Sequence, residues 1–316
     1  MGKSICSIIV SVYNEEDVIE LFYRTLKEVV DKLNYEVEIL FINDGSRDNS
    51  KSLIDGFAAA DKKVKAIHFS RNFGHEAAMI AGIDNACGDV LICMDADLQN
   101  PPQLIGQMLE KYETGNDIVA MVREGRADGG LYKRITSELF YKIINQLSDT
   151  KLKPNASDFF MVSRKVADVL RNNYRERTRF LRGFIQIVGF NTTTMAYYAP
   201  KRAAGESKYS FMKLAHFAFN SLVSFSKAPL KLGIYTGVLF SMLSIFLIVF
   251  SLIMWIVDRP VSGYTTIIIF LSAFAGILLL VIGIIGYYIG FILDEVKGRP
   301  IYIIEDIKTQ NTTNER

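Results

Sequence analysis

Two aspartates one residue apart, Asp95 and Asp97, close the apolar run Val90–Met94. Carboxylates at that spacing on the end of a buried strand can share a hard divalent cation, Mg²⁺ or Mn²⁺. Water and a diphosphate then fill the remaining ligand positions. Such a cation neutralises the charge on a departing diphosphate. Gln99 follows two residues later and can add a carbonyl oxygen, directly or through water. A solvated acidic turn has the same local sequence, and Pro101-Pro102 would then simply open the next helix. A second acid at another strand end argues for chemistry. Asp44 ends an apolar run in Phe41-Ile42-Asn43-Asp44-Gly45-Ser46. A carboxylate there can accept a hydrogen bond from a nucleobase or a ribose. The alternative is an Asx-turn or a helix N-cap, a role for which Asp48 is better placed.

The elements that must carry these acids alternate between two periods. Continuous apolar runs at Ile5–Val12, Val37–Ile42, Val64–Phe69, Val90–Met94 and Ile118–Val122 read as buried strands. Helical spacing separates them: Asp17–Leu33, Asp48–Ala59, His75–Ala86, and a segment opened by Pro101-Pro102 that reaches Tyr112. Repeated β-α-β units with such strands make a mainly parallel sheet covered by helices on both faces. Ligands then bind beyond the carboxyl ends of the strands. Tyr13-Asn14-Glu15, Asp44, Asp95 with Asp97, and Arg123 all fall at those ends. No Gly-x-Gly-x-x-Gly follows the first strand, which argues against a dinucleotide site. Further on, Leu131–Leu147 reads as a helix with Lys133 and Arg134 at its start, Asp158–Ser163 as a short strand, and Arg175–Arg182 as an Arg-rich segment.

The chain has 316 residues, half of them hydrophobic, and the apolar excess lies in the last third. No charge occurs from Leu232 to Val257 or from Val261 to Leu293. Each run exceeds the roughly 20 residues that cross a bilayer core. They predict a transmembrane hairpin with a loop at Asp258, Arg259 and Pro260. Lys227 and Lys231 precede it and Lys297, Arg299 and Lys308 follow, against Arg259 alone in the loop. That asymmetry puts both flanks on the cytoplasmic side of the membrane. Ile5–Val12 lacks the flanks of a signal peptide and reads as a strand, which keeps the N-terminal region cytoplasmic. Phe211–Phe225 has an apolar face typical of a helix lying in the membrane interface. The polar tail from Lys308 to Arg316 reads as disordered. The expected division is therefore 1–206 catalytic, 207–229 interfacial helix, 230–294 hairpin and 295–316 cytoplasmic tail.

The net charge of +2 gives no basic excess for nucleic acid, and none is expected as a partner. Cys6, Cys87 and Cys93 have no metal-ligand spacing and read as small buried hydrophobes. His68, His75 and His216 are isolated and read as structural. Arg71 and Asn72 are expected to help shape the pocket, and Arg177, Arg179 and Arg182 form a basic cluster facing solvent, lipid headgroups or an acceptor phosphate.

Four motifs occur in order: Ser11-Val12-Tyr13-Asn14-Glu15-Glu16, Asn43-Asp44-Gly45-Ser46, Asp95-Ala96-Asp97-Leu98-Gln99-Asn100-Pro101-Pro102 and Gly205-Glu206-Ser207-Lys208-Tyr209-Ser210. Together they resemble the family 2 glycosyltransferases of the dolichol-phosphate mannose synthase type. The subgroup most similar in layout glycosylates undecaprenyl phosphate and carries a C-terminal two-helix anchor. The resemblance implies a GT-A, Rossmann-like α/β domain and transfer of a hexose from a nucleotide-sugar to a polyprenyl phosphate lipid. The donor would be UDP-glucose or UDP-N-acetylglucosamine, and the product β-linked by inversion. It also implies roles by position. Ser11, Tyr13, Glu15, Ile42 and Asp44 would line the nucleotide pocket, with Ala96 beside them. Asp95, Asp97 and Gln99 would handle Mg²⁺ or Mn²⁺ and the diphosphate. Arg123, Arg134, Arg202 and Lys208 would contact donor diphosphate or acceptor phosphate, since two phosphorylated substrates need cations. Lys208 lies in a Gly-rich turn suited to ordering on substrate. Asp158 would be a base or an acceptor-orienting group, making Asp97, Asp158 and Lys208 the catalytic set. Ser11 replaces a proline common in the family, a change expected to alter only the turn. The resemblance admits a homotetramer.

Two other readings compete. A processive polysaccharide synthase would need a Gln-x-x-Arg-Trp motif, yet the only tryptophan, Trp255, lies in the first span. A non-catalytic scaffold or flippase partner would lack the paired carboxylates and phosphate-binding cations, or would carry intramembrane charges, and neither condition is met.

Overall fold

The computed structural model describes residues 3–126, 156–177, 179–200, 228–257 and 263–310. The described residues divide into two compact units. One comprises those of Met1–Lys142, Leu152–Ser210 and Pro300–Arg316, the other those of Phe211–Arg299.

In the first unit the elements run β1 (Ile5–Val12), α1 (Ile19–Val30), β2 (Glu36–Asn43), α2 (Ser50–Ala60), β3 (Val64–Phe69), α3 (His75–Asn85) and β4 (Val90–Asp95). A 3₁₀ turn (Pro102–Leu104), α4 (Ile105–Glu113), β5 (Ile118–Arg126) and β6 (Ala156–Ser163) follow. Then come α5 (Arg164–Asn173), α6 (Leu181–Ile187), β7 (Thr192–Ala199) and, after the other unit, β8 (Ile304–Lys308). Eight strands form one sheet in the order β7-β5-β6-β4-β1-β2-β3-β8. The strands β4, β1, β2 and β3 are mutually parallel, with β6 antiparallel between β4 and β5. Consecutive residues of β1, Ile8, Ile9 and Val10, are all inaccessible, so both sheet faces are covered. That is why these strands read as unbroken apolar runs.

Parallel register aligns the functional ends. Ser11 of β1 stands beside Asp95 on one side and Ile42 on the other, and Asn43 stands beside His68. Because β6 runs the opposite way, its beginning, with Asp158, lies at the end of the sheet where β4 finishes.

Several expectations need correcting. Strand β5 continues to Arg126, so Arg123 lies within the strand rather than at its tip; the pairing with β7 shifts register between Arg123 and Gly125. The Arg175–Arg182 segment leads into α6, which buries Leu181, Phe184 and Ile185. Cys6 and Cys93 are buried as expected, but Cys87 is exposed. One strand, just ahead of the polar Lys308–Arg316 segment, was not expected. Ile304–Lys308 pairs antiparallel with β3 and covers what would otherwise be an exposed parallel edge. Tyr302 anchors this return: its ring stacks on Phe69 at 5.2 Å and its hydroxyl donates to Asp84 Oδ2 at 2.7 Å.

The second unit contains α7 (Ala228–Ile256) and α8 (Tyr264–Val296). Within them Gly233–Phe250 and Ala273–Val296 have mean hydropathies of 2.2 and 2.5 and are unburied. Both helices are long and apolar enough to cross a membrane. The helices touch where a Cβ on Gly233 would come 3.0 Å from Val281 Cγ1, and where Phe240 meets Phe274 edge to face at 6.1 Å. Arg134, Arg202, Lys208, the helix expected at 131–147, the interfacial helix at 211–225 and the loop at 258–260 lie outside the described residues.

Candidate active site

The last residue of β4 is Asp95, and its carboxylate is reached from two sides. Ser11 Oγ lies 3.4 Å from Oδ1, and Asn100 Nδ2 donates to Oδ2 at 3.2 Å. Asp97 Oδ1 accepts from the Gln99 amide at 3.0 Å, which turns the chain back over the strand end. The turn holds Leu98 at φ +60°, a left-handed conformation that costs a β-carbon-bearing residue about 1 kcal/mol or more. The donors at this tip, two carboxylates and a carboxamide, are hard oxygens, which fit Mg²⁺ or Mn²⁺. Among the described residues, no group of three or more His, Cys, Asp or Glu side chains forms a metal cage.

His75, expected to be structural and isolated, lies between the carboxylates of Asp95 and Asp158. It opens α3, and its Nδ1 is 2.8 Å from Ser11 Oγ and 3.5 Å from Asp95 Oδ1. Its Nε2 is 3.9 Å from Asp158 Oδ2. Arg182, from α6, brings Nε to 3.5 Å from the other oxygen of Asp158. Ser11 therefore does more than shape a turn, because its hydroxyl touches both His75 and Asp95. Burial alone would lower the His75 pKa, but Asp95, Asp158 and Glu76 outweigh it and raise the value. Asp95 is pushed up by burial and by Asp97 and Asp158, with His75 and Arg123 opposing. Glu76 is raised by burial and by Asp158, while its Oε2 accepts from the Leu181 amide at 2.9 Å, tying α3 to α6.

Arg123 joins this centre through a polar chain. Its Nε donates to Tyr197 Oη at 2.8 Å, and that hydroxyl donates to Asn100 Oδ1 at 3.1 Å. Ser157 Oγ lies 2.8 Å from the same hydroxyl. Asn100 and Tyr197 are buried, so β7 and the post-β4 loop orient Arg123 relative to Asp95. Nothing in the sequence around Tyr197 announced this, since its partners come from three distant segments.

The β2 tip is built differently. Asp44 is 2% exposed, and its carboxylate accepts from the backbone amides of Phe73 at 2.6 Å and Gly74 at 2.9 Å. It is therefore neither an Asx-turn nor an N-cap but a brace for the loop leading to His75. Burial raises its pKa, although these amides, His75 and Arg179 pull the other way. Gly45 is required beside it: φ is +66°, and a Cβ would lie 2.5 Å from the Arg71 carbonyl carbon. Asp48 Oδ1 accepts from the Ser50 amide at 3.0 Å, so it serves the start of α2 from one residue before the cap position. Asn14 takes φ +54° and its Oδ1 accepts from the Arg47 amide at 2.8 Å, lacing the β1 and β2 loops together.

A cavity of about 320 Å³ opens at these tips, lined by residues that include Tyr13, Gly45, Arg47, Lys51, Arg71 and Glu305. Its lining also includes Asn72, as expected, but not Asp95, Asp97 or Asp158. Tyr13 is exposed at 36%, whereas Ile42 is fully buried and offers no side chain to a ligand. Glu15 is half-buried, its amide bonded to Ser50 Oγ at 2.9 Å and its carbonyl accepting from Val18 and Ile19. Ala96 is buried between the two aspartates.

Comparison with known proteins places the chain in a family. The family model for glycosyl transferase family 2 matches residues 7–171. The chain is 39% identical over 313 residues to the uncharacterized glycosyltransferase YkcC of Bacillus subtilis (strain 168), covering 98% of this chain and 95% of that one. It is 40% identical over 300 residues to the SfII prophage-derived bactoprenol glucosyl transferase of Shigella flexneri, covering 95% and 97%. Among solved structures, glucosyl-3-phosphoglycerate synthase from Mycobacterium tuberculosis, in complex with Mn²⁺, UDP-glucose and phosphoglyceric acid, superposes with a TM-score of 0.48 at 17% identity. That match covers 70% of this chain and 78% of the other. On the family match and the near full-length likeness to its relatives, the chain belongs to glycosyl transferase family 2.

Proposed function

We propose that this glycosyltransferase moves glucose from UDP-glucose to undecaprenyl phosphate, inverting the anomeric carbon to give a β-linked polyprenyl-phosphate sugar. The observation that carries the reading is the convergence of Asp95, Asp158, Arg123 and Arg182 at one end of the sheet. The relatives named as bactoprenol glucosyl transferases support the choice of sugar and lipid. UDP-N-acetylglucosamine is the other donor that the motifs admit.

In the transfer, an oxygen of the lipid phosphate attacks C1 of the sugar, and the bond from C1 to the diphosphate breaks. The electron pair stays on the UDP oxygen, and a single displacement inverts C1. A bound Mg²⁺ or Mn²⁺ would neutralise charge on the leaving diphosphate. Asp95 and Asp97, with Gln99, would hold it. Tyr13 and Glu15 line the nucleotide side, with Asp44 bracing the loop behind them. Arg123, together with Arg134, Arg202 and Lys208, would bind the phosphates of donor and acceptor. A phosphate monoester has a second pKa near 6, so most acceptor arrives already deprotonated. Asp158, steered by Arg182, then orients the acceptor and takes the remaining proton from any monoanion. The two apolar helices would hold the enzyme as a multi-pass protein of the cytoplasmic membrane, with the catalytic unit and the C-terminus on the cytoplasmic side. Assembly as a homotetramer is part of the same proposal.

The test is a donor screen. The purified chain, undecaprenyl phosphate, and Mg²⁺ or Mn²⁺ are incubated with a panel of labelled UDP- and GDP-sugars, and the lipid fraction is analysed. Labelling from UDP-glucose, with β stereochemistry by NMR, is the expected result. Transfer from a GDP-sugar alone, an α-linked product, or no labelled lipid from any donor would overturn the proposal.

A further inference from the structure

The transferase reading leaves one ionisable group at the centre without a role. His75 bridges three backbone segments that are far apart in sequence: β1 through Ser11 Oγ at 2.8 Å, β4 through Asp95 Oδ1 at 3.5 Å, and β6 through Asp158 Oδ2 at 3.9 Å. We propose that His75 is a positioning residue that ties Asp158 to Asp95, so that the acceptor-side carboxylate stays aligned with the donor-side one during transfer. The proposal rests on the function given above.

The geometry favours this over a purely structural role. A histidine serving the core would be closed off from solvent, with both ring nitrogens at hydrogen-bond distance from fixed partners. Its side chain is instead 33% exposed, and it faces side chains that include a hydroxyl and two carboxylates themselves 24% and 21% exposed. It also gains nothing from its helix, since the first turn of a helix favours anions rather than an imidazole that can become cationic. His68 shows the structural alternative in the same molecule: it is inaccessible, with Nδ1 3.0 Å from Asn43 Nδ2 and Nε2 2.8 Å from Asp55 Oδ1. Without a donor between them, Asp95 and Asp158 would face each other as like charges across the space His75 now fills. Glu76, Asp97, Arg123 and Arg182 also act on this space, so the charge balance is shared, and the imidazole lies between the two strands, 3.5 Å from Asp95 and 3.9 Å from Asp158.

Each ring nitrogen can be removed separately. His75→Asn keeps a polar group at the reach of Nδ1 and loses that of Nε2, whereas His75→Gln keeps one at the reach of Nε2. In the full-length chain, His75→Ala and His75→Asn should lower kcat about 30- to 100-fold, the range seen when a residue orienting a functional ligand is lost. His75→Gln, which keeps the reach to Asp158 but loses the one to Asp95, should fall between His75→Ala and wild type. KM for UDP-glucose and the Kd for UDP with Mn²⁺, measured by calorimetry, should change by less than about 3-fold, because ground-state donor binding does not use Asp158. Melting midpoints should stay within about 3 °C. The proposal is overturned if His75→Asn matches wild type or His75→Gln is as slow as His75→Ala. It is equally overturned if the rate loss follows a matching loss of UDP affinity or of melting temperature. Wild-type transfer that disappears in Asp97→Ala upholds the function whatever the His75 variants do. A wild-type chain that transfers nothing removes the function and this proposal together.

Discussion

The tips of β2 and β4 look alike in sequence, each an apolar strand ending in aspartate, but they use the acid in opposite ways. At β2, Asp44 is closed off by two backbone amides, and behind it Asn43, His68 and Asp55 form a complete chain of polar contacts. At β4, Asp95 shares its surroundings with His75, Asp97 and Asp158, and the ion-pair separations of 3.5 and 3.9 Å are longer than hydrogen bonds. A buried acid answered by backbone is a brace, because its partners cannot leave. A partly exposed acid crowded by other ionisable groups is costly without a ligand and is therefore a candidate site.

The difference predicts which measurement each acid controls. The largest effect belongs to Asp97: replacing it with alanine should lower kcat about 10³-fold, the scale for losing a group that stabilises transition-state charge, with an unchanged melting curve. A preparation that retains a tenth of its activity would place Asp97 among the solvated turns. Asp44→Ala should do the reverse. It strands two amides near the surface of the core and should cost about 3 kcal/mol of stability, read as a lowered melting temperature even without substrate. If it leaves melting untouched and only weakens UDP binding, the brace is a ligand contact after all.

Tyr302→Ala tests how far the scaffold extends. It removes a ring stacked on Phe69 and the bond to Asp84, and should destabilise the catalytic unit by about 2 kcal/mol. Limited proteolysis after Arg299 should then release the C-terminal segment faster. No change in either readout would make β8 dispensable.

The smallest effect concerns Asp61, a carboxylate answered by one backbone amide, one ammonium and one hydroxyl. Burial opposes ionisation there, but the Lys63 amide, Lys27 and Tyr23 outweigh it and lower the pKa. A folded-state pKa below the unfolded value of about 3.9 gives stability that is present above that pH. That stability is lost as pH falls through the folded value. Asp61→Asn should therefore melt about 2 °C lower at pH 7, with the gap closing below about pH 4. A gap constant down to pH 3 would mean that the ionised form contributes nothing.

Much of this molecule is legible locally. Uninterrupted apolar strands follow from a sheet covered on both faces, and in parallel strands the acids that end them must emerge at the same side. Two long uncharged segments leave little choice but apolar helices long enough to cross a membrane. The sequence could not show that Arg123 sits inside a lengthened β5, because strand ends depend on the partner strand, here β7.

The sequence by itself therefore determined the alternation of strand and helix, the aspartates at the strand ends, the apolar hairpin and the family. Tertiary structure alone decided which side chains meet. His75 gained its place because β6 runs antiparallel beside β4 and delivers Asp158 to the same end. Arg182 came from a helix whose polar approach resembled a surface, and β8 came from beyond the hairpin to close the β3 edge. Local patterns record the burial of each element, but a contact between residues tens of positions apart depends on how the chain closes its loops, and a lone histidine carries no periodic signal of that.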